Sequence, residues 1–522
     1  LWDLATREEV RRLRAKGYWP RDINFSADGK IVAAADSCGV TLWDARTGDW
    51  LHDLGHTGSV GVLAFTPDGK TLMTGADRFL RSWDPFTGRL CRKWKVHERG
   101  ILAIRVAADG KRMISIGSDG SIRVGDRASG KEIGRIGDGK RSATAIDLSS
   151  DGKLLATSVG EGIQLWDLAT RQLVRSFARG FVHHLAFSPD GTQLASSTTN
   201  DAAVRLWNVA NGKELHSFHA WSLGGSKPSF SPDGRTLATS DSDGKIPVWD
   251  LFSGKELRRL GQPLKPGALL GALTFSPDGR VVAAGYSDRT VRLLEVATGK
   301  ERAIYQGHRG GILSLAFSPD GQLLASGSVD RTVMVWDVTG RVCADKPDRI
   351  TLDAKAQERL WAGLADTDAA KAYQAMRVLL GAEQTVNLLR KRLLRPAVAV
   401  DPARLNRLVA ELDDDSFSIR ERASRELAAL EESAIPALRR AQANAPSVEV
   451  ARRVKDLLAK LDKPGLCSAE LASLRAVEVL EHLGTFEARQ LLAELGKEAG
   501  DTLLTREARV SLQRLEKRTN KP

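Results

Sequence analysis

Gly134 to Arg141 reads G-x-x-x-x-G-K-R, close to a nucleotide-binding phosphate loop. The residue after the lysine is Arg, where magnesium coordination needs Ser or Thr. The stretch also lies between two expected strands, with no helix N-terminus to receive phosphate, so it reads as a connecting loop. His183-His184 offers two metal ligands, but neighbours on a strand point to opposite faces and cannot easily share one ion. One packed and one exposed imidazole is the expectation. Asp413-Asp414-Asp415 has the charge for a cation, yet three consecutive carboxylates at a helix boundary read as a solvated loop. Arg390, Lys391, Arg392 and Arg395 could meet nucleic acid, but the interleaved Leu388, Leu389, Leu393 and Leu394 make this an ordinary packed helix with a solvated face. No G-x-S-x-G elbow, H-E-x-x-H helix or kinase signature set occurs. The expectation is therefore no catalytic residue, no metal site and no cofactor.

The elements that would position any site follow from composition and period. The chain has 522 residues, 42% hydrophobic and 27% charged, which is ordinary for a globular protein and excludes a disordered polymer. No run approaches the ~18 apolar residues of a membrane helix. Cys38, Cys91, Cys343 and Cys467 lie far apart, which argues against a disulfide scaffold and a cysteine zinc site. The net charge of +12 is moderate and alternates in sign along the chain, and no aromatics interleave with the basic residues, so no nucleic acid is expected. The chain begins at Leu1, and what would precede it is not readable.

Glycine is frequent before residue 340 and scarce after it, where Ala, Leu, Arg and Glu take over. The first region is periodic: Asp-Gly recurs at 28, 68, 109, 151, 190, 233, 278 and 320, a spacing of about forty residues that signals repeats. In the last unit Ile312 to Ser318 alternates as a strand does. Ser318-Pro319-Asp320-Gly321 forms a tight turn, and Leu323 to Gly327 is a strand apolar enough for both faces to be covered. Asp330-Arg331-Thr332 is a second turn, Val333 to Asp337 a third strand, and Thr339-Gly340 marks another hairpin. In other units that hairpin leads to a polar fourth strand such as Lys213 to Phe218, suited to an exposed edge. Four short antiparallel strands per unit make one propeller blade.

Phe-Ser-Pro-Asp-Gly (187–191, 275–279, 317–321), Leu-Trp-Asp (42–44, 165–167) and Gly-His (55–56, 307–308) resemble the tryptophan–aspartate (WD) repeat family over residues 1–345. Trp2, Trp43, Trp83, Trp166, Trp207, Trp249 and Trp336 share one third-strand position and read as core. The resemblance implies a network of His, Ser or Thr, Asp and Trp across each blade: His308, Ser326, Asp330 and Trp336, and a weaker set of His56, Thr74, Asp77 and Trp83. Units that have lost the Trp, such as Val124-Gly125-Asp126 and Leu293-Leu294-Glu295, should rely on apolar packing alone.

The second region reads as helix throughout. Apolar residues recur three and four apart from Leu360 to Leu380, and further helices are expected over Glu383–Arg395, Pro402–Leu412, Ser418–Leu430, Ile435–Ala443, Ser447–Leu461, Ala469–Leu483, Phe486–Leu495 and Thr505–Leu515. Short antiparallel helices in series suggest a helical array, and Ile419 to Arg440 resembles a HEAT repeat.

The expected architecture is an all-β propeller over 1–345, a linker at 346–352 and an all-α, HEAT-like domain over 353–522. Eight blades are favoured and seven are the alternative. Closure of eight would have Glu9–Leu13 pair beside Val333–Asp337, and the linker should be open to proteolysis. The expected function is a non-catalytic scaffold that binds other proteins through a monomeric propeller and the helical array. The alternative is the regulatory part of a larger bacterial kinase or sigma factor whose N-terminal domain lies upstream. The compartment is not readable, with the cytoplasm favoured. The expected partner face collects the turns between second and third strands and the loops entering each first strand. It holds Tyr18, Trp19, Arg78, Arg99, Phe181, Trp221, Arg289, Arg309 and Arg331, of the aromatic and Arg types enriched at interface hot spots. The plainer reading is that these arginines pair with turn aspartates such as Asp288 and Asp330.

Overall fold

The computed structural model describes the strand backbone at 22–25, 31–36, 39–44 and 50–53, and then residues 60–519 except 61, 108, 138–142, 161, 178–179, 199–202, 220–226, 242, 265–267, 340–350, 395–401, 431–433, 435–436, 439–440, 443–446, 462–465 and 498–501. Two compact units divide between Pro347 and Asp348. The expected linker lies almost wholly outside the described residues.

In the first unit each repeat folds as an antiparallel meander, first strand to fourth. The Ser-Pro-Asp-Gly turns work as their chemistry demands: Ser318 Oγ donates to Asp320 Oδ1 (2.5 Å) and the Gly321 N–H to the Ser318 carbonyl (2.8 Å). Second strands such as Val281–Tyr286 and Leu323–Ser328 are buried along their whole length, whereas fourth strands such as Leu90–Lys95 are largely exposed. The apolar strand therefore sits mid-sheet and the polar strand at the rim.

Among the described residues eight sheets form, but seven close the ring. Blades 1 to 7 span residues 62–95, 101–136, 143–177, 182–219, 229–260, 270–306 and 312–337. Their first strands pack in sequence around the centre, and the first strand of blade 7 packs back onto that of blade 1. At this seam the Val60 N–H donates to the Ser328 carbonyl (3.0 Å) and Ser314 Oγ to the Val60 carbonyl (3.2 Å). Val60, Leu63, Leu72, Trp83 and Ala325 share one apolar cluster there. A Cβ on Gly327 would lie 2.7 Å from the Val60 carbonyl, so the two blades meet this closely only because residue 327 is glycine. The expectation of eight blades is thus corrected to seven. Closure depends on how blade 7 meets blade 1, and the sheet of residues 22–53 stands outside the circle. Blade 7 has three strands among the described residues. Glu9–Leu13, expected to complete it, lies outside them.

The second unit is helical: α1 (Ala354–Ala365), α2 (Ala369–Gly381), α3 (Thr385–Leu393), α4 (Pro402–Ala410), α5 (Phe417–Ala429), α6 (Val448–Leu461), α7 (Ser468–Leu483), α8 (Phe486–Lys497) and α9 (Leu503–Thr519). Helices α1 to α3 and α7 to α9 share one core around Leu364, Leu379, Leu389, Leu480, Leu491 and Leu515. Helices α4 to α6 build another around Leu408, Leu412, Leu427, Leu438 and Val454. The chain thus leaves its first helical core after α3 and re-enters it at α7. Arg475 of α7 is buried, and its guanidinium donates to the carbonyls of Leu364 (2.6 Å) and Asp366 (2.7 Å), which completes the C-terminus of α1. No helix among the described residues is long and apolar enough to cross a membrane.

Candidate functional site

The turns between second and third strands are held by side chains. In blade 7, His308 Nε2 lies 2.7 Å from Ser326 Oγ, which also receives the Trp336 indole N–H (2.8 Å). His308 Nδ1 faces Asp330 Oδ2 at 3.1 Å. A hydroxyl donates one hydrogen, so the donors run from Trp336 to Ser326 to His308 to Asp330. Burial alone would raise the Asp330 carboxyl. Hydrogen bonds from His308, Thr332 and the Arg309 N–H outweigh it and hold the carboxyl well below the usual range.

In blade 1 the Trp83 indole donates to Thr74 Oγ1 (2.7 Å), while Asp77 pairs with both guanidinium nitrogens of Arg81 (2.8 and 2.9 Å). His56 lies outside the described residues. Blade 2 has no tryptophan, yet His97 Nε2 meets Ser115 Oγ at 2.8 Å and its Nδ1 faces Ser121 Oγ (3.0 Å) and Asp119 (3.3 Å). Blade 6 carries a buried ion pair, Arg302 to Glu295 at 2.8 Å. The expectation that blades without the Trp hold by apolar packing alone is therefore corrected. The His97 set escapes notice because Val96 stands where other units have Gly before the His.

Of the residues expected on the partner face, Arg78, Arg99, Phe181, Arg289, Arg309 and Arg331 are exposed. Tyr18, Trp19 and Trp221 lie outside the described residues. Arg289 and Arg331 adopt left-handed φ of 75° and 72°, where the matching turns of blades 2 and 5 use Gly120 (81°) and Gly244 (79°). An L-residue there costs about 1 kcal/mol relative to glycine. The turn aspartates are taken from within their own blades. Asp288 accepts from Arg292 (2.9 Å), Asp77 from Arg81, and Asp330 from the histidine network. Among the described residues Arg78, Arg99 and Arg289 form no ion pair.

The model of the WD domain, G-beta repeat, matches residues 48–84, 88–126, 171–208, 213–250, 265–294 and 299–337. The propeller unit is thus built of WD repeats. The chain is similar to apoptotic protease-activating factor 1 of Mus musculus, 27% identical over 43% of this chain and 19% of that protein. It is 29% identical to periodic tryptophan protein 2 of Arabidopsis thaliana, over 41% of this chain and 24% of that one. For the serine-threonine kinase receptor-associated protein of Homo sapiens the identity is 26%, over 45% of this chain and 67% of that protein. The chain thus spans only about a fifth to a quarter of the first two of these relatives.

The centre of the WD-repeat ring holds residues that sequence reasoning missed. The register slips at the start of several first strands: between Val182 and His184, Leu270 and Ala272, and Ile312 and Ser314. Each slip inserts one extra residue (His183, Gly271, Leu313) and frees its backbone from the ladder. Lys227, just before the first strand of blade 5, donates its ammonium to the freed carbonyls of Gly271 and of Leu313 (the latter at 3.0 Å). Burial lowers this lysine to about 8. The expectation of one packed and one exposed imidazole is also corrected. His183 is the bulged residue, and His183 and His184 are both half-buried. Burial, then the charges of Lys227, His183 and Arg105, push His184 well below the usual histidine range. Arg105 itself pairs with Asp147 (2.6 Å), which also accepts the Phe187 N–H (2.7 Å).

The other sequence candidates have structural roles. Gly134 lies within the fourth strand of blade 2, where a Cβ would strike the Arg171 guanidinium. Asp413 accepts from Ser447 Oγ (2.5 Å) and Asp414 from the Ser416 N–H (2.8 Å), at the starts of α6 and α5. Arg390 pairs with Glu494 and Arg392 with Glu358, while Arg395 lies outside the described residues.

Proposed function

We propose that this chain is a non-catalytic scaffold whose propeller binds a protein partner across the face that carries Arg78, Arg99, Phe181, Arg289, Arg309 and Arg331. One observation carries the reading. Two turns keep an arginine in a backbone conformation that favours glycine, and Asp288, the neighbouring carboxylate, is already taken by Arg292. Turn formation alone would select glycine there, as blades 2 and 5 do. Exposed guanidinium groups and an exposed phenyl ring suit an acidic protein surface with aromatic or apolar anchors.

The test exploits the strain. Changing Arg289→Gly and Arg331→Gly together should leave the propeller as stable or slightly more so, by up to about 1 kcal/mol per site. The same change should weaken a purified partner and make binding less sensitive to salt. A double variant that is folded and binds every partner as before, across the salt range, overturns the assignment.

A further inference from the structure

Counting back six residues from the Asp-Gly turns, one position in or just before each first strand is equivalent around the ring: Val62, Ala103, Ala145, His184, Lys227, Ala272 and Ser314. Five are small or apolar, and the two titratable ones sit on consecutive blades. Both are densely surrounded by protein yet keep accessible surface, as side chains lining a narrow channel do. Two hydrogens of the Lys227 ammonium are used by the carbonyls of Gly271 and Leu313, and the third has no protein acceptor among the described residues. A Cβ on Gly271 would strike the Ile312 carbonyl, so the approach of these two inner strands depends on this glycine.

Among the described residues neither Lys227 nor His184 meets a carboxylate. Asp147, the carboxylate beside Arg105, is occupied by that guanidinium and by the Phe187 N–H. Arg105 and His183 add further positive field at His184. A charge enclosed by protein without a counter-ion is costly, and an anion that enters relieves that cost. We propose that the central channel, at the level of His184 and Lys227, is a binding site for a small oxyanion, a carboxylate or a phosphate. The anion would accept the remaining Lys227 N–H and, once His184 is protonated, a second hydrogen from the imidazole. Cation binding is opposed by the same field. The site stands apart from the partner-face reading, because a free ion can test it without any partner.

A bound oxyanion favours the charged forms of both bases, so binding should take up protons and tighten from about pH 8 to about pH 6. The experiment is a titration of the full chain, carrying 13C-labelled lysine side chains, with inorganic phosphate, with acetate, and with a capped glutamate tripeptide. The Lys227 signal should shift saturably and its titration should move upward. The Lys227→Met and His184→Gln variants should weaken binding by about tenfold or more. Should Lys227→Met fail to fold, the wild-type Lys227 signal and His184→Gln decide. Saturation by phosphate or acetate but not by the peptide assigns a free ion. Displacement of either by the peptide assigns an acidic side chain that enters the channel. A Lys227 signal unmoved by all three, or equal affinity in folded His184→Gln and Lys227→Met, overturns the site.

Discussion

Blade 6 allows a sharp test of what replaces the lost tryptophan. Its Leu293-Leu294-Glu295 ends a third strand, and Glu295 is 1% exposed beside Arg302 at 4%. Arg302 approaches Glu295 Oε1 through two nitrogens, at 2.8 and 3.2 Å, and Thr298 donates to Oε2 at 2.7 Å. The Arg302→Met variant removes the guanidinium and leaves a buried carboxylate with fewer donors. Breaking such a pair costs about 3–5 kcal/mol, and Glu295→Leu should cost a similar amount because the buried guanidinium loses this carboxylate. The double variant removes both charges and keeps the volume, so it should return to within about 1 kcal/mol of wild type or exceed it. Urea unfolding of the four proteins measures the coupling, and each single change should lower the melting temperature by roughly 10 °C. A double variant as unstable as the two singles summed would mean that the charges do not stabilise one another, and the reasoning would fail.

Other outcomes follow from the same contacts. His97→Leu in blade 2 should cost about 2–3 kcal/mol in urea unfolding, because Ser115 and Asp119 lose their shared partner, whereas Trp336→Phe should cost only about 1. Gly327→Ala should destabilise by about 1–3 kcal/mol through contact with the Val60 carbonyl, and a neutral result would show that the seam has slack. Asp119, Asp330 and His97 all titrate lower in the fold than in the unfolded chain. Their stabilisation is therefore complete above the unfolded values and lost as pH falls, first below about 6.5 for His97 and then below about 4 for the aspartates. Stability that rises from pH 7 to pH 5 in calorimetry would contradict this.

The blades were legible because their signals are local. A Ser-Pro-Asp-Gly turn or a tryptophan opposite a Ser or Thr is specified within a dozen residues, and Trp207 to Ser196 or Trp249 to Thr239 forms wherever both are present. Ring size is not local. It depends on the packing of blade 7 against blade 1, which no repeat count specifies. The channel was hidden for a related reason. His183-His184 read as ordinary strand alternation until the register slip placed one of them outside the ladder, and Lys227 belongs to no motif that the sequence marks out. The left-handed arginines were within reach, since Asp288-Arg289-Thr290 aligns with Asp119-Gly120-Ser121.

The seam at Val60 also has a kinetic meaning. Within each blade, strands pair with their neighbours in sequence, so those sheets form through short loops. The bond from Ser314 to Val60 joins residues 254 apart. Closing that span costs about 1.6 kcal/mol more chain entropy than closing a single unit of about forty residues. The blades can therefore assemble first into an open spiral, and the seam contact forms last. Until it forms, the first strand of blade 1 and the second strand of blade 7 expose apolar faces that would pair equally well with a second copy. The slow, concentration-sensitive step in refolding is thus the meeting of two ends of one spiral, in competition with the ends of others.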